Sequence, residues 1–326
     1  MSSLEGPVFE GVADEAGAVN ARRDPARWLV ATRPPFLLAA LPPVGIGLMT
    51  AGAAARPLGV LLTLLGAILA HAAANVLNDW ADARSGTDAT NRHRVPPFTG
   101  GAGLIQSGRL GERATLALGL VLIALGSAVA AMLAWRAGPG LLAVVAAGAV
   151  LGWGYSARPL NLVGRGLGEV TIAICFGGLL PLGVHWAVAG SPALAPLVAG
   201  LPYGLAAAAL LFINQFPDRL ADARAGKHHW VVRLGTRRAR WGYPLLLLAA
   251  AFALVIGVAR GAMPPPALLA LMGLLPGIPA TRRLWREHRR PARLRPALAL
   301  TVVLVLAFGA LLVAGLALAG AGSALG

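Results

Sequence analysis

The sequence predicts an all-α membrane protein in which nine transmembrane helices bundle around a central cavity open to the cytoplasmic side. Composition is the first reason: 57% of the 326 residues are hydrophobic and 13% are charged, about half the charged share of a soluble domain. Apolar stretches of 18 or more residues recur along the chain, and each is long enough to cross a bilayer as a helix. The connections between these stretches alternate short and long, and the charges follow that alternation.

A polar segment at residues 1–27 comes first and contains no apolar core, so we expect a disordered cytoplasmic tail rather than a cleaved signal peptide. Residues 28–326 then form one domain. Proline and glycine inside several spans are tolerated because neighbouring helices satisfy the backbone groups that they leave free. Gly148 and Gly152 have the spacing that favours close helix packing. The spans are predicted at residues 34–54, 57–80, 114–135, 138–157, 166–189, 194–217, 241–259, 262–281 and 297–320.

Lys and Arg lie almost entirely on one side of these spans. The tail, the start of the first span and the long connections hold 25 of the 28, and only Arg56, Arg136 and Arg260 fall in short connections. This bias predicts a cytoplasmic amino terminus and an external carboxyl terminus, in a bacterial inner membrane. The net charge of +15 then forms a collar facing anionic membrane lipids. No nucleic-acid partner is needed to explain it.

Five of the 13 acidic residues fall into two clusters, at the cytoplasmic ends of the second and sixth spans. The first lies in NVLNDWADARSGTD at residues 75–88, and the second in INQFPDRLADARAGK at residues 213–227. In both, an asparagine precedes an aspartate by four residues, which places the two on one helix face. Either cluster alone is also typical of helix-end residues solvated at the membrane surface. Two matched clusters on one side favour a functional cavity.

Carboxylate and amide oxygens without His or Cys ligands indicate a hard cation, above all Mg²⁺. Mg²⁺ commonly shares its coordination shell between a few carboxylates and substrate phosphates. Basic residues flank both clusters and suit a phosphorylated ligand, and Lys227 is the only lysine among 27 arginines. That lysine either binds a phosphate group or has been retained by chance, and the sequence favours neither interpretation. The TGGAG loop at residues 99–103 is either a phosphate-binding backbone or a flexible connector.

With these residues the chain resembles the UbiA superfamily of intramembrane prenyltransferases, whose two motifs are NDxxDxxxD and DxxxD. Asp218 and Asp222 match the second motif. The first matches through Asp82, but Gly86 stands where its last acid is expected, and Asp88 follows. That form is similar to the branch that prenylates 1,4-dihydroxy-2-naphthoate. Other matching pieces are TRPPFL, GGAGLIQSGRL, YS, GRGLGE and VVRLG. One departure is Pro217, where that branch usually has a basic residue.

The resemblance implies a Mg²⁺-dependent prenyltransferase acting on a polyprenyl diphosphate and a small aromatic acceptor. Two Mg²⁺ ions are expected, with Mn²⁺ able to substitute. The catalytic acids implied are Asp82, Asp218 and Asp222. The metal set implied is Asn78, Asp79, Asp82, Asp88, Asn214, Asp218 and Asp222. The substrate-binding set is Arg33, Asn75, Arg92, Arg94, Tyr155, Ser156, Arg158, Arg165 and Lys227.

Asp88 and Glu169 carry separate expectations. Asp88 can reach the metal only if the second span ends near Gly86, because two further helical residues rotate its side chain by about 200°. Glu169 is an acid inside the fifth span, for which pairing with Arg165 one turn earlier is the simplest explanation.

The acceptor remains open between 1,4-dihydroxy-2-naphthoate in menaquinone biosynthesis and 4-hydroxybenzoate, homogentisate or a non-aromatic alcohol. A cation-coupled transporter is the alternative from another class. It is disfavoured because transporters place such acids near the bilayer midplane, whereas both clusters here lie at one membrane face. The sequence does not specify the prenyl length, any loss of a carboxyl group, or the oligomeric state.

Overall fold

The computed structural model describes residues 24–52 and 56–323, and these residues form helices joined by turns and loops. Most of the predicted tail, residues 1–23, lies outside the described residues, and the first helix begins within its last residues. The helices are α1 (Ala26–Ala31), α2 (Pro34–Ala51), α3 (Pro57–Ser85), α4 (Thr87–Thr90), α5 (Glu112–Ala137), α6 (Gly140–Ser156), α7 (Gly168–Ala189), α8 (Ala195–Arg224), α9 (Trp230–Ala239), α10 (Gly242–Ala259), a 3₁₀ helix (Pro265–Leu274), α11 (Gly277–Glu287), a 3₁₀ turn (Pro291–Leu294) and α12 (Arg295–Ser323).

Seven helices in the described part of the chain are long and apolar enough to cross a membrane: α2, α3, α5, α7, α8, α10 and α12 with the turn before it. The all-α membrane class is therefore confirmed. The predicted fourth span falls on α6, which is apolar but has only 17 residues. The predicted eighth span falls on the 3₁₀ helix and the start of α11. The count of nine and the cytoplasmic cavity stay predictions.

Helix α8 lies at the centre of the bundle. The structure buries 67% of its apolar window, against 22–33% for the other six long helices, which leave apolar side chains facing outward as lipid contact requires. Tyr203 on α8 is fully buried, and its hydroxyl donates to the carbonyl oxygen of Ala39 in α2 at 2.7 Å. This central helix is held firmly in the bundle, and it carries the second acid cluster at its carboxyl-terminal end.

Close helix packing occurs between α7 and α8, through glycines. A Cβ atom on Gly177 would lie 2.8 Å from Cα of Gly204, and one on Gly200 would lie 2.1 Å from the Gly177 carbonyl oxygen. Backbones can approach this closely only where both helices carry small residues. The packing role predicted for Gly148 and Gly152 is wrong, because no neighbouring atom of the described residues lies within 4 Å of a Cβ there.

Candidate active site

The ends of α3 and α8 are joined by one lysine. Nζ of Lys227 lies 2.7 Å from Oδ1 of Asp82 on α3 and 3.5 Å from Oδ1 of Asp222 on α8. Burial lowers the pKa of Lys227, but the two carboxylates raise it more, so the ammonium group stays charged and the net pKa lies above its usual range. The two acid clusters therefore lie on opposite sides of a buried cation, as expected of the two halves of one site.

Asp79 binds the TGGAG loop at residues 99–103 and holds it against this site. Its Oδ1 accepts a hydrogen bond from the guanidinium of Arg33, just before α2, and its Oδ2 accepts one from the backbone N–H of Ala102 at 2.9 Å. The TGGAG loop approaches so closely that a Cβ on Gly101 would lie 2.9 Å from Oδ1 of Asp79 and from Oδ2 of Asp88. Gly101 also has φ of +67°, so glycine is required there for two reasons.

Asp88 reaches the site because α3 ends just before Gly86, the condition that the sequence analysis set for this residue. The helix stops at Ser85, and Gly86 has φ of +75°, a left-handed conformation that turns the chain back. Gln106 Nε2 lies 3.4 Å from Asp88 Oδ2. Burial, then the neighbouring Asp82 charge, raise the pKa of Asp88 to about 6 against the opposing charges of Arg33 and Lys227.

The second cluster stays on a continuous helix, because α8 runs through Pro217 to Arg224. Asp218 Oδ1 accepts a hydrogen bond from Asn91 Nδ2 at 2.7 Å. Asp222 Oδ2 lies 3.1 Å from His229 Nε2, and that histidine is almost fully buried. Each acid of the second cluster is thus held by a residue from a loop outside α8.

The asparagines of the first cluster have different partners. Asn78 Nδ2 donates to the Ser156 hydroxyl at 2.5 Å, which leaves its amide oxygen directed away from that bond. Asn75 Nδ2 donates to the Thr32 carbonyl oxygen at 3.0 Å. Of the two predicted substrate residues on α6, Ser156 therefore lies against the first cluster, and Tyr155 beside it is half-buried.

The residues present suit Mg²⁺. Asn214 Oδ1 is buried and has no hydrogen-bond partner among the described residues, the condition expected of an oxygen that awaits a ligand. Every donor on the two clusters is an oxygen, the ligand type that Mg²⁺ prefers. The described residues contain no group of three or more His, Cys, Asp and Glu arranged to hold an ion by themselves. An ion here would take ligands from both clusters, from amides and from a bound phosphate group.

Four arginines of the predicted substrate-binding set are exposed rather than buried with the acid clusters. Arg92, Arg94, Arg158 and Arg165 are all exposed. Arg94 runs along the glycine loop, with Nη1 2.8 Å from a Cβ built on Gly103. Arg165 donates to the carbonyl oxygen of Pro159 at 2.7 Å. The structure therefore places none of these four arginines among the buried side chains around Lys227.

Sequence reasoning missed three polar residues that hold the acids: Asn91, Gln106 and His229. Asn91 belongs to none of the matching segments, whereas Gln106 lies within GGAGLIQSGRL. The spacing of neither residue shows that its side chain reaches an acid, because each acts through the fold of its loop. His229 follows the predicted Lys227 by two residues, and its burial was the missing information. Glu169 is also corrected: it accepts a hydrogen bond from Gln215 rather than pairing with Arg165.

Residues 40–301 match the model of the UbiA prenyltransferase family. The chain belongs to this family. It is 28% identical to the 2-carboxy-1,4-naphthoquinone phytyltransferase of a Synechocystis species, over 90% of this chain and 94% of the relative. It is 31% identical to the 1,4-dihydroxy-2-naphthoate octaprenyltransferase of Mycobacterium tuberculosis, over 69% of this chain and 75% of the relative. The chain is thus a prenyltransferase, and its resemblance to the naphthoate branch is confirmed.

The fold of this prenyltransferase also matches a solved structure. A UbiA homologue from Archaeoglobus fulgidus, bound to DMAPP and Mg²⁺, superposes with a TM-score of 0.54 over 87% of this chain and 98% of that chain. The identity is 17%, so this likeness concerns the fold. The prenyltransferase is an integral membrane protein, as its apolar helices and its family together indicate.

Proposed function

We propose that this prenyltransferase transfers a prenyl group from a polyprenyl diphosphate to 1,4-dihydroxy-2-naphthoate, a step of menaquinone biosynthesis. The observation that carries the proposal is the position of Lys227, between Asp82 and Asp222 of the two family motifs. A charged ammonium between two carboxylate clusters suits a diphosphate bridged to those carboxylates by metal ions. The acceptor is supported by the naphthoate-acting relatives.

Mg²⁺ would be held by Asn78, Asp82, Asp218 and Asp222, with Asn75, Asp79, Asp88 and Asn214 assisting. When bound, it neutralises the diphosphate and makes it a better leaving group. The homologue that binds DMAPP and Mg²⁺ supports a divalent metal in this proposal. Two ions, and substitution by Mn²⁺, are part of the proposal.

The protein's own residues bind and orient the substrates. Lys227 donates to diphosphate oxygens while the C–O bond to the allylic carbon breaks, and Arg33 holds Asp79 and the glycine loop in place. The diphosphate leaves with the electron pair of the C–O bond, a ring carbon of the acceptor forms the new C–C bond, and the proton on that carbon passes to the released diphosphate. Packing around α8 keeps water from the allylic cation, which would otherwise be captured as an alcohol.

We also propose nine spans in residues 28–326: the seven long helices, α6 as the fourth span, and the 3₁₀ helix with the start of α11 as the eighth. The cavity would open to the cytoplasm, with the amino terminus inside a bacterial inner membrane and the carboxyl terminus outside. A reporter fused after Gly326 should be active only outside the cytoplasm. Activity inside would mean an even number of spans.

The direct test uses purified protein, Mg²⁺, isotope-labelled prenyl diphosphates of several lengths and a panel of acceptors. We expect a prenylated naphthalene product, and its mass shows whether the carboxyl group has been lost. Product from 4-hydroxybenzoate, homogentisate or an alcohol alone would replace the acceptor and leave prenyl transfer in place. No transfer to any acceptor would reject the proposal.

A further inference from the structure

A buried polar pair lies between α7 and α8, apart from the two acid clusters. Gln215 Nε2 donates to Glu169 Oε1 at 2.7 Å, and the two side chains are only 4% and 7% exposed. The remaining acceptor atoms, Glu169 Oε2 and Gln215 Oε1, are buried as well and have no partner among the described residues. Burying an acceptor without a donor is costly, so such atoms usually have a partner in the working protein.

The nearby basic residues do not supply that partner. Arg165, one turn before Glu169, is exposed and uses its guanidinium on the carbonyl oxygen of Pro159. His229 Nε2 lies 3.1 Å from Asp222 Oδ2, and its Nδ1 is buried without a hydrogen-bond partner among the described residues, so neither ring nitrogen bonds Glu169. Two acceptor atoms of the pair thus have no donor among the described residues, although they lie beside the candidate active site.

The position of the pair fits a substrate other than the diphosphate. Gln215 precedes Asp222 by seven residues on α8, which places it about 10 Å farther into the span. The residue before Gln215 is Asn214 of the predicted metal set, and Gln215 bonds Glu169 directly. The pair therefore lies next to the proposed site, on the membrane side of the acid clusters.

The geometry of the pair is rigid. Glu169 lies in the first turn of α7, and α7 is packed backbone to backbone against α8 through Gly177, Gly200 and Gly204. A Cβ on Gly168 would also lie 3.2 Å from side-chain atoms of α8 and of the preceding loop. Acceptor atoms held this firmly suit recognition of a ligand of fixed shape.

We propose that Glu169 and Gln215 bind the aromatic acceptor, their open oxygens accepting hydrogen bonds from its ring hydroxyl groups. The inference rests on the proposed function and adds specificity-determining residues to it. A diphosphate offers only acceptor oxygens and negative charge, which Glu169 repels, and a prenyl chain offers no hydrogen-bond donor. Of the proposed substrates only a hydroxylated ring can satisfy both oxygens.

The test compares acceptors that differ by one hydroxyl: 1,4-dihydroxy-2-naphthoate against 1-hydroxy-2-naphthoate and 4-hydroxy-2-naphthoate. Wild-type protein, Glu169→Gln, Glu169→Ala and Gln215→Ala are each assayed for kcat/KM. Differences in ring reactivity cancel because every variant meets the same acceptors. We expect the preference for the dihydroxy compound to fall at least tenfold in the variants, with KM for the prenyl diphosphate within about twofold of wild type, because the lost hydrogen bonds concern the acceptor alone.

Thr50→Val is the matched control, because Thr50 contacts the buried His185 at 3.0 Å in a partly buried polar pair near the other end of α7. Its acceptor preference should equal that of wild type. Glu169→Gln preserves side-chain volume and carries the test if the alanine variants lose their elution profile in detergent. An unchanged preference in every folded variant overturns the inference. If wild type uses no naphthalene acceptor, the proposed function fails, and the comparison is repeated with the acceptor it uses and the analogue lacking a hydroxyl.

Discussion

The two acid clusters have similar sequences, yet their local structures differ. On α8 the helix continues to Arg224, so Asp218 and Asp222 stay one turn apart on one face. On α3 the helix stops at Ser85, and Asp88 returns to the site from beyond Gly86. The second cluster, on α8, is therefore called the straight cluster, because its acids lie along one helix face. The first cluster, on α3 and beyond Gly86, is called the folded cluster, because the chain turns back to the site.

The difference shows that spacing alone does not assign roles. Asp79 and Asp82 belong to one motif, but Asp79 holds Arg33 and the glycine loop, whereas Asp82 contacts Lys227. In the second cluster, Asp222 contacts the same lysine. The folded cluster therefore combines loop positioning with a contact to Lys227, and the straight cluster presents acids that are held by residues outside α8.

Metal removal should have the largest effect, because both clusters would lose the metal ions that they are proposed to bind together. We expect EDTA to abolish turnover and Mg²⁺ or Mn²⁺ to restore it, since all proposed ligands are oxygen donors. The measurement is product formation at increasing free metal concentration. Full activity in excess chelator would show that the two clusters act without a metal.

Single alanine substitutions should come next. Asp82→Ala, Asp218→Ala and Asp222→Ala should each reduce kcat/KM by on the order of 10²-fold or more, if about 3 kcal/mol of transition-state stabilisation is lost. Similar losses on both helices are expected if the clusters are halves of one site.

The control for these three variants is Glu287→Gln, which removes an acid paired with Arg290 and Arg293 away from the site. Its activity should stay near that of wild type. Losses confined to the α8 variants would mean that the folded cluster only positions the loop.

Much of this comparison follows from sequence, because paired motifs and apolar periodicity reflect local rules. The seven long helices, the end of α3 near Gly86 and the two clusters are all visible in the residues. Contacts between distant segments are not. Asn91 reaches Asp218, 127 residues away, and Glu169 reaches Gln215 rather than Arg165, because tertiary packing chooses among chemically equivalent partners.

Asp88 tests whether the folded cluster contributes a ligand from beyond its helix. Asp88→Ala should lower kcat/KM by roughly tenfold to a hundredfold, less than Asp82→Ala, because its carboxylate reaches the site from a loop rather than from the stripe. It should also raise the Mg²⁺ concentration needed for half-maximal rate. Ser85→Ala, an exposed neighbour at the end of α3, serves as control. Wild-type kinetics in Asp88→Ala would leave the carboxylate as a buried loop acid without a role in the reaction.

Asn91 tests the opposite property, the dependence of the straight cluster on outside support. Its side-chain amide donates to Asp218 at 2.7 Å and makes no described hydrogen bond to Lys227 or to a side chain of the first cluster. Its backbone N–H, which the substitution keeps, donates to the carbonyl oxygen of Asp88 at 3.3 Å. A single hydrogen bond contributes about 0.5–1.5 kcal/mol net, which corresponds to a loss of up to about tenfold. We therefore expect Asn91→Ala to reduce kcat/KM by several-fold, and Thr90→Ala, its exposed neighbour, to leave the rate unchanged. In the background of Asp218→Ala, the Asn91 substitution should have no further effect, because its partner is gone. Additive losses would mean that Asn91 acts on the reaction through some group other than Asp218.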